Sequence, residues 1–195
     1  MAASHGKAFP SPTVSHVMTI CQEYFSNVGE PVRPTQHLLP GAGSTYLVGM
    51  GLNIQIVVDC RVPHDLAQWW AESLEWAVEP QDEGFIRSMI EQGYATEDQT
   101  TTHNGKLVWR TACAIRPPEE LDAKAPQRRI LFQTAPEGKT VKNRVHWDVH
   151  LAGRDKDEVR REFESRGATF LWTANEGPHF WHTMADPEGN EFCIS

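Results

Sequence analysis

The stretch NRVHWDVHL, Asn143–Leu151, decides the fold. Val145, Trp147, Val149 and Leu151 fall on one parity, and His146, Asp148 and His150 on the other. Strict alternation is the period of a strand with one buried face. A helical pattern follows: DKDEVRREFESRGA places Val159 and Phe163 on one side, with Gly167 at its stop. ATFLW, HFWHTMAD and EFCIS read as three further strands, with DPEGN as the turn before the last. The order from Asn143 is therefore β-α-β-β-β.

An earlier stretch repeats the opening of this pattern. LNIQIVVDC reads as a buried strand, and HDLAQWWAESLEW as an amphipathic helix whose Leu66, Trp69, Trp70 and Leu74 form a core stripe. Aligning the two strands sets Gln55 opposite His146, Val57 opposite Asp148 and Asp59 opposite His150. Residues 80–105 are acidic and irregular, apart from a helix in EGFIRSMIEQGY. LVWRTACAI and RRILFQTA then read as two strands separated by PPEELDAKAPQ. One such unit cannot cover its own sheet, so two of them pair and leave a cleft. The expected fold is α+β: two βαβββ modules, residues 51–138 and 139–195, with a cleft between curved mixed sheets. Residues 1–50, punctuated by Pro and Gly, form an N-terminal extension with a short helix over Val14–Phe25.

A formal charge of −8, with no large Lys/Arg cluster, argues against nucleic acid and anionic membranes as partners. No window approaches 18 uninterrupted apolar residues, and the start lacks a signal-peptide pattern. Cys21, Cys60, Cys113 and Cys193 form no C-x-x-C pair, which disfavours a zinc ribbon or redox dithiol. These features lead us to expect a cytoplasmic protein with reduced thiols, a monomer or homodimer. Nucleophile-elbow, phosphate-loop and H-E-x-x-H motifs are absent from the sequence.

Chemistry-bearing residues gather on the polar parity. His146 aims at the cleft, and Asp148, two residues on, can orient its imidazole, contact a ligand, or simply pair with Arg144. His150 lies about 13 Å from His146 along an extended strand, too far for both to grip one ion. Gln55 is an amide in an apolar strand, where a missing partner costs about 1–3 kcal/mol. In HFWHTM, parity groups His179 with Trp181 and Phe180 with His182, and leaves open which pair faces the core; Trp181 is a candidate stacking wall.

VKNRVHWDVHL, SRGAT and ADPEGNEFCIS resemble the glyoxalase-like branch of the vicinal oxygen chelate superfamily, which also holds bleomycin-resistance-type proteins and extradiol dioxygenases. IVVDCRVPHDLAQWWAESLEW is similar to the opening of that branch's first module. The resemblance covers residues 52–195 and implies a pocket between modules. In metal-dependent members, the first and last strands of each module project ligands into it. Carried over by position, Gln55 and His146 are the first-strand ligands. The family's last-strand glutamate falls at Cys193 here, with Glu191 two residues earlier, and module one offers Gln133. The resemblance thus implies a pocket of Gln55, Gln133, His146, Asp148, Trp181 and Cys193. Any divalent cation (Zn, Ni, Mn or Fe) would sit on His146, Gln55 and Glu191, the last also serving as general base. The expected function is binding of a small organic molecule in the cleft. The alternative is a metal-dependent lyase, isomerase or dioxygenase.

Overall fold

The computed structural model describes residues 54–123 and 128–195. The extension and its expected helix lie outside these residues. The first sheet comprises β1 (Ile56–Cys60), β2 (Ala77–Val78), β5 (Ala112–Arg116) and β6 (Ile130–Thr134), in the order β1-β6-β5-β2. The second comprises β7 (Trp147–Val149), β8 (Thr169–Glu176), β9 (His179–Ala185) and β10 (Glu191–Ile194), in the order β7-β10-β9-β8. In both, the first strand pairs in parallel with the last, and the other pairings are antiparallel. The fold is α+β with the same βαβββ order twice, as the repeated strand-helix pattern implies.

Helix α1 (Pro63–Leu74) follows β1, and α3 (Lys156–Ser165) follows β7. Between β2 and β5 the first module carries an insert: α2 (Glu83–Glu91) and a hairpin of β3 (Thr100–His103) with β4 (Lys106–Trp109). The hairpin turn is Asn104-Gly105, with φ of 49° and 77°. Positive φ at both positions is what a tight hairpin turn requires, and Asn-Gly supplies it at least steric cost. The irregular reading of residues 80–105 misses β3 and the 3-10 turn Glu97–Gln99, and LVWRTACAI, expected as one strand, is divided between β4 and β5.

Each sheet turns one face to a shared core. Val58 and Cys60 of β1, Ile130 and Phe132 of β6, Trp147 and Val149 of β7, and Phe192 and Ile194 of β10 join α1 and α3 in one continuous core. Its centre is aromatic. Trp70 meets Trp69, Trp147 and Phe192 at centroid distances of 4.9, 4.5 and 4.9 Å, all edge-to-face. Phe163 of α3 closes on Trp69 at 5.8 Å and on Phe192 at 5.7 Å. Edge-to-face pairs each add about 0.5–1.5 kcal/mol beyond area burial.

The turn Asp186–Asn190 ties the two modules together by polar bonds. Its buried Asp186 carboxylate accepts from the Trp70 indole N–H at 3.1 Å, and from the backbone N–H groups of Glu188 and Asn190 at 2.9 Å. Helix α1 has no side-chain cap of its own at Val62. The Glu188 carboxylate instead accepts from the N–H groups of Arg61 and Val62, at 2.7 and 3.0 Å. A carboxylate at a helix N-terminus satisfies orphan donors and complements the macrodipole. Gly189, at φ 89°, lets the chain reverse directly after these two acidic residues.

Asp186→Ala strands the buried indole and turn amides, each worth about 1–3 kcal/mol when unpaired, so urea unfolding should show a loss of at least about 3 kcal/mol. Glu188→Ala removes only a cap and should cost about 1 kcal/mol. Equal losses in the two variants would contradict this assignment of roles.

Candidate functional site

The second sheet's other face is set by strand register. Asp148 pairs with Cys193, Cys193 with Thr183, and Thr183 with Trp172, so these four side chains form one row across β7, β10, β9 and β8. His146, just before β7, lines up beside Asp148, with Nε2 3.7 Å from Oδ1. His146 and Asp148 are half exposed, whereas Cys193 is buried. One ligand atom from each of the three lies within 4.8 Å of the other two. The Thr183 hydroxyl is 3.7 Å from the Cys193 sulfur. Burial first, and the Asp148 carboxylate beside it, push the Cys193 thiol above its ordinary range.

Register also decides the question parity leaves open in HFWHTM. His182 and Met184 turn to the core, where His182 Nδ1 meets the Thr173 hydroxyl at 2.9 Å. Trp181, half-buried and paired with Ala174, shares the face of Thr183. His150 stands beyond the end of β7, its Nδ1 3.0 Å from the Ser195 hydroxyl.

The remaining sequence-derived candidates are held by other partners. Glu191 accepts from the Lys139 ammonium at 2.9 Å and from the Asn143 backbone N–H at 3.0 Å. Burial raises its pKa, but these two bonds outweigh that and hold the carboxyl below its usual range. Gln55 Oε1 accepts from the Arg129 guanidinium at 2.6 Å. Arg129 in turn grips Glu79 through two bonds of 2.7 Å, and Arg116 binds the same carboxylate. Gln133 pairs with Asp59 and Ala112.

Because Ile56 pairs with Ile130 and Trp147 with Phe192, the module-one equivalent of Cys193 is Leu131, and that of Glu191 is Arg129. Gln133 lies one pleat further on. The repeat is thus chemically lopsided. Gln55, Val57 and Leu131 in module one stand where module two has His146, Asp148 and Cys193.

Between β1 and β7, each an edge strand of its own sheet, lies a cavity of about 230 Å3. Val57 and Asp59 line one side, Val145, His146 and Glu191 the other, and Trp70 reaches it from α1. Its mouth is apolar, with Val57 48% and Val145 78% exposed. Among the described residues, no helix is long and apolar enough to cross a membrane.

The glyoxalase-like domain family matches residues 55–195. A comparison with curated proteins finds no match. Among solved structures, a hypothetical protein from S. aureus is 10% identical, with a TM-score of 0.44 over 75% of this chain and 97% of its own. A glyoxalase/bleomycin resistance protein/dioxygenase family enzyme from Burkholderia phytofirmans is 12% identical (TM-score 0.44, covering 72% and 94%). The bleomycin-binding protein of Streptomyces verticillus is 11% identical (TM-score 0.40, covering 74% and 95%).

The Glu79 cluster carries a pH signature. Burial raises the pKa of Glu79, yet the hydrogen bond and charge of Arg129, with the charge of Arg116, win and hold it below the ordinary 4.5. A depressed carboxylate pKa stabilises the fold above the unfolded value, and that stability drains away as pH falls through the folded value. Glu79→Gln removes the charge that Arg116 and Arg129 share at this largely buried position, a loss of about 3–5 kcal/mol at neutral pH. In urea titrations, the gap between wild type and Glu79→Gln should narrow as pH falls below 4.5. A constant gap would show that Glu79 is not the charge holding this face.

Proposed function

Because the chain belongs to the glyoxalase-like domain family, we propose that it binds a small organic molecule in the cavity between β1 and β7. The observation that carries this reading is the composition of that cavity. Exposed valines sit at its mouth and aromatic rings behind them, while Asp59 and His146 offer acceptors at the rim. Exposed apolar side chains gathered around a concavity favour a ligand with an apolar body. A volume of about 230 Å3 selects a compact one, smaller than a drug-sized molecule. The carboxylate of Asp59 and a ring nitrogen of His146 favour a hydrogen-bond donor on that body. Binding of this kind is a role for a metabolite- or drug-sequestering protein, and it requires no metal.

The metal-dependent alternative fits its implied ligands poorly. Gln55 already accepts from a guanidinium, and Glu191 from an ammonium and a backbone amide. Leu131, at the module-one place of Cys193, offers no ligand atom. A divalent ion on Gln55, His146 and Glu191 would have to break both charge-assisted bonds. No step is therefore assigned to such an ion.

Ligand- and protein-observed NMR with a fragment library test the proposal. Val57→Trp fills the cavity mouth from an already half-exposed position, so the fold should survive. Hits should be compact and apolar with one donor group, perturb the Trp147 indole signal, and weaken at least about tenfold in Val57→Trp. Hits that bind wild type and variant equally would place the ligand elsewhere.

A further inference from the structure

His64 in the first turn of α1 and His103 at the end of β3 stand apart from the cavity and line none of it. We propose that this pair is an acid-sensitive latch: while His64 is neutral, it holds the β3–β4 hairpin against the start of α1, and its protonation frees the arm that carries His103. The latch does not depend on what the cavity binds.

Two contacts join helix and hairpin. His64 is only 7% exposed, and its Nε2 lies 2.8 Å from the Trp109 carbonyl oxygen of β4. A carbonyl only accepts, so the neutral ring carries its proton on Nε2 and leaves Nδ1 bare. The His103 ring stacks on the His64 ring, with centroids 4.9 Å apart and planes 24° from parallel. The root of the hairpin has a tether of its own. Gln81 Oε1 accepts from the Trp109 N–H at 2.7 Å, and Gln81 Nε2 donates to the Ala112 carbonyl at 3.2 Å. The latch therefore governs the arm with His103 and the Asn104-Gly105 turn, and not the root.

A second proton on His64 has to enter this contact at Nδ1. Burial opposes it most, and the charge of His103 adds to that. Together they hold the His64 pKa below the ordinary 6.5, against the Trp109 carbonyl and the Asp65 carboxylate of α1, which favour the charged ring. The position in the first turn of α1, at the positive end of the helix dipole, opposes the proton as well. Lys106, the register partner of His103 on β4, brings further positive charge to the same arm. Lifting the arm lets water reach the imidazolium and separates it from His103. A histidine whose pKa is lowered when docked takes up its proton more readily when undocked. Docking is thus fully favoured above the ordinary 6.5 and weakens as the pH falls from there through the docked value.

The second module supplies a contrast. Its helix α3 opens on Asp155, whose side chain accepts from the Glu158 N–H at 2.9 Å, and β8 runs into β9 without an inserted hairpin. The latch therefore comes with the insert of module one and is not a property of the repeat. Its release is local. The start of α1 keeps Glu188 on the N–H groups of Arg61 and Val62 whether or not the arm is docked.

Hydrogen exchange of the full-length protein, read by mass spectrometry and corrected for the intrinsic effect of pH, tests the latch. Between about pH 7.5 and 5.5, where histidine charge changes, protection of peptides covering residues 100–107 should fall at least about threefold. Peptides from β9 should keep their protection over the same range. His64→Gln retains an amide N–H for the Trp109 carbonyl but cannot take up a proton, so its hairpin protection should stay flat. His103→Phe keeps a stacking ring without the charge, so the fall should shrink. His103 is only partly buried, and this variant carries the test if His64→Gln fails to fold. A flat profile in wild type, an equal fall in β9, or a fall in either variant as large as that of wild type would overturn the proposal.

Discussion

The structure depends on a bond between an indole and a carboxylate that are 116 residues apart in sequence. Trp70 belongs to the first helix and Asp186 to the last turn, and the bond forms inside the aromatic core that both modules share. A buried indole N–H needs a partner, and a buried carboxylate needs donors. Each supplies the other, while the turn's own amides fill the remaining acceptor sites of Asp186. Two residues later, Glu188 caps the helix that carries Trp70. A single five-residue turn therefore fixes the start of α1 and, through Trp70, the wall of the cavity. The same residues that mark the family in sequence hold the two halves of the fold in register.

With one face of each sheet committed to the core, all chemistry falls to the other faces, and the two modules use theirs differently. Module one closes its face with Leu131, Ala112 and Ala114 beside the Glu79–Arg116–Arg129 cluster. Module two keeps a row of Asp148, Cys193, Thr183 and Trp172, with His146 at its end. Duplicated units free one copy to stabilise while the other presents donors. The cavity at the β1–β7 seam borders both and reaches His146 from the side.

Much of this was legible in sequence because it rests on period. Alternation in Asn143–Leu151 and the helical spacing of Val159 with Phe163 place the second module, and the repeat places the first. The hairpin at Asn104-Gly105 is signalled in the sequence only by its turn dipeptide, set in an acidic and weakly patterned stretch. Register was less accessible. Without knowing that Ile56 pairs with Ile130, Gln133 looks equivalent to Cys193, although Leu131 holds that place. Nor does a local pattern reveal that Arg129 reaches Gln55 across 74 residues, or Lys139 reaches Glu191 across 52. Strand partners are closer in sequence in module two, so its register is the easier of the two to read from the family's positions.

A double-mutant cycle on Trp70 and Asp186 tests the central claim most directly. Trp70→Phe keeps an aromatic ring and removes the N–H donor, and Asp186→Asn keeps the shape and removes the charge. Urea unfolding of wild type, both single variants and the double variant yields the coupling energy. The account predicts a favourable coupling of about 1–3 kcal/mol, in the range of a hydrogen bond to a charged group. Coupling near zero would mean that packing alone joins the modules, and that the turn does not brace the fold.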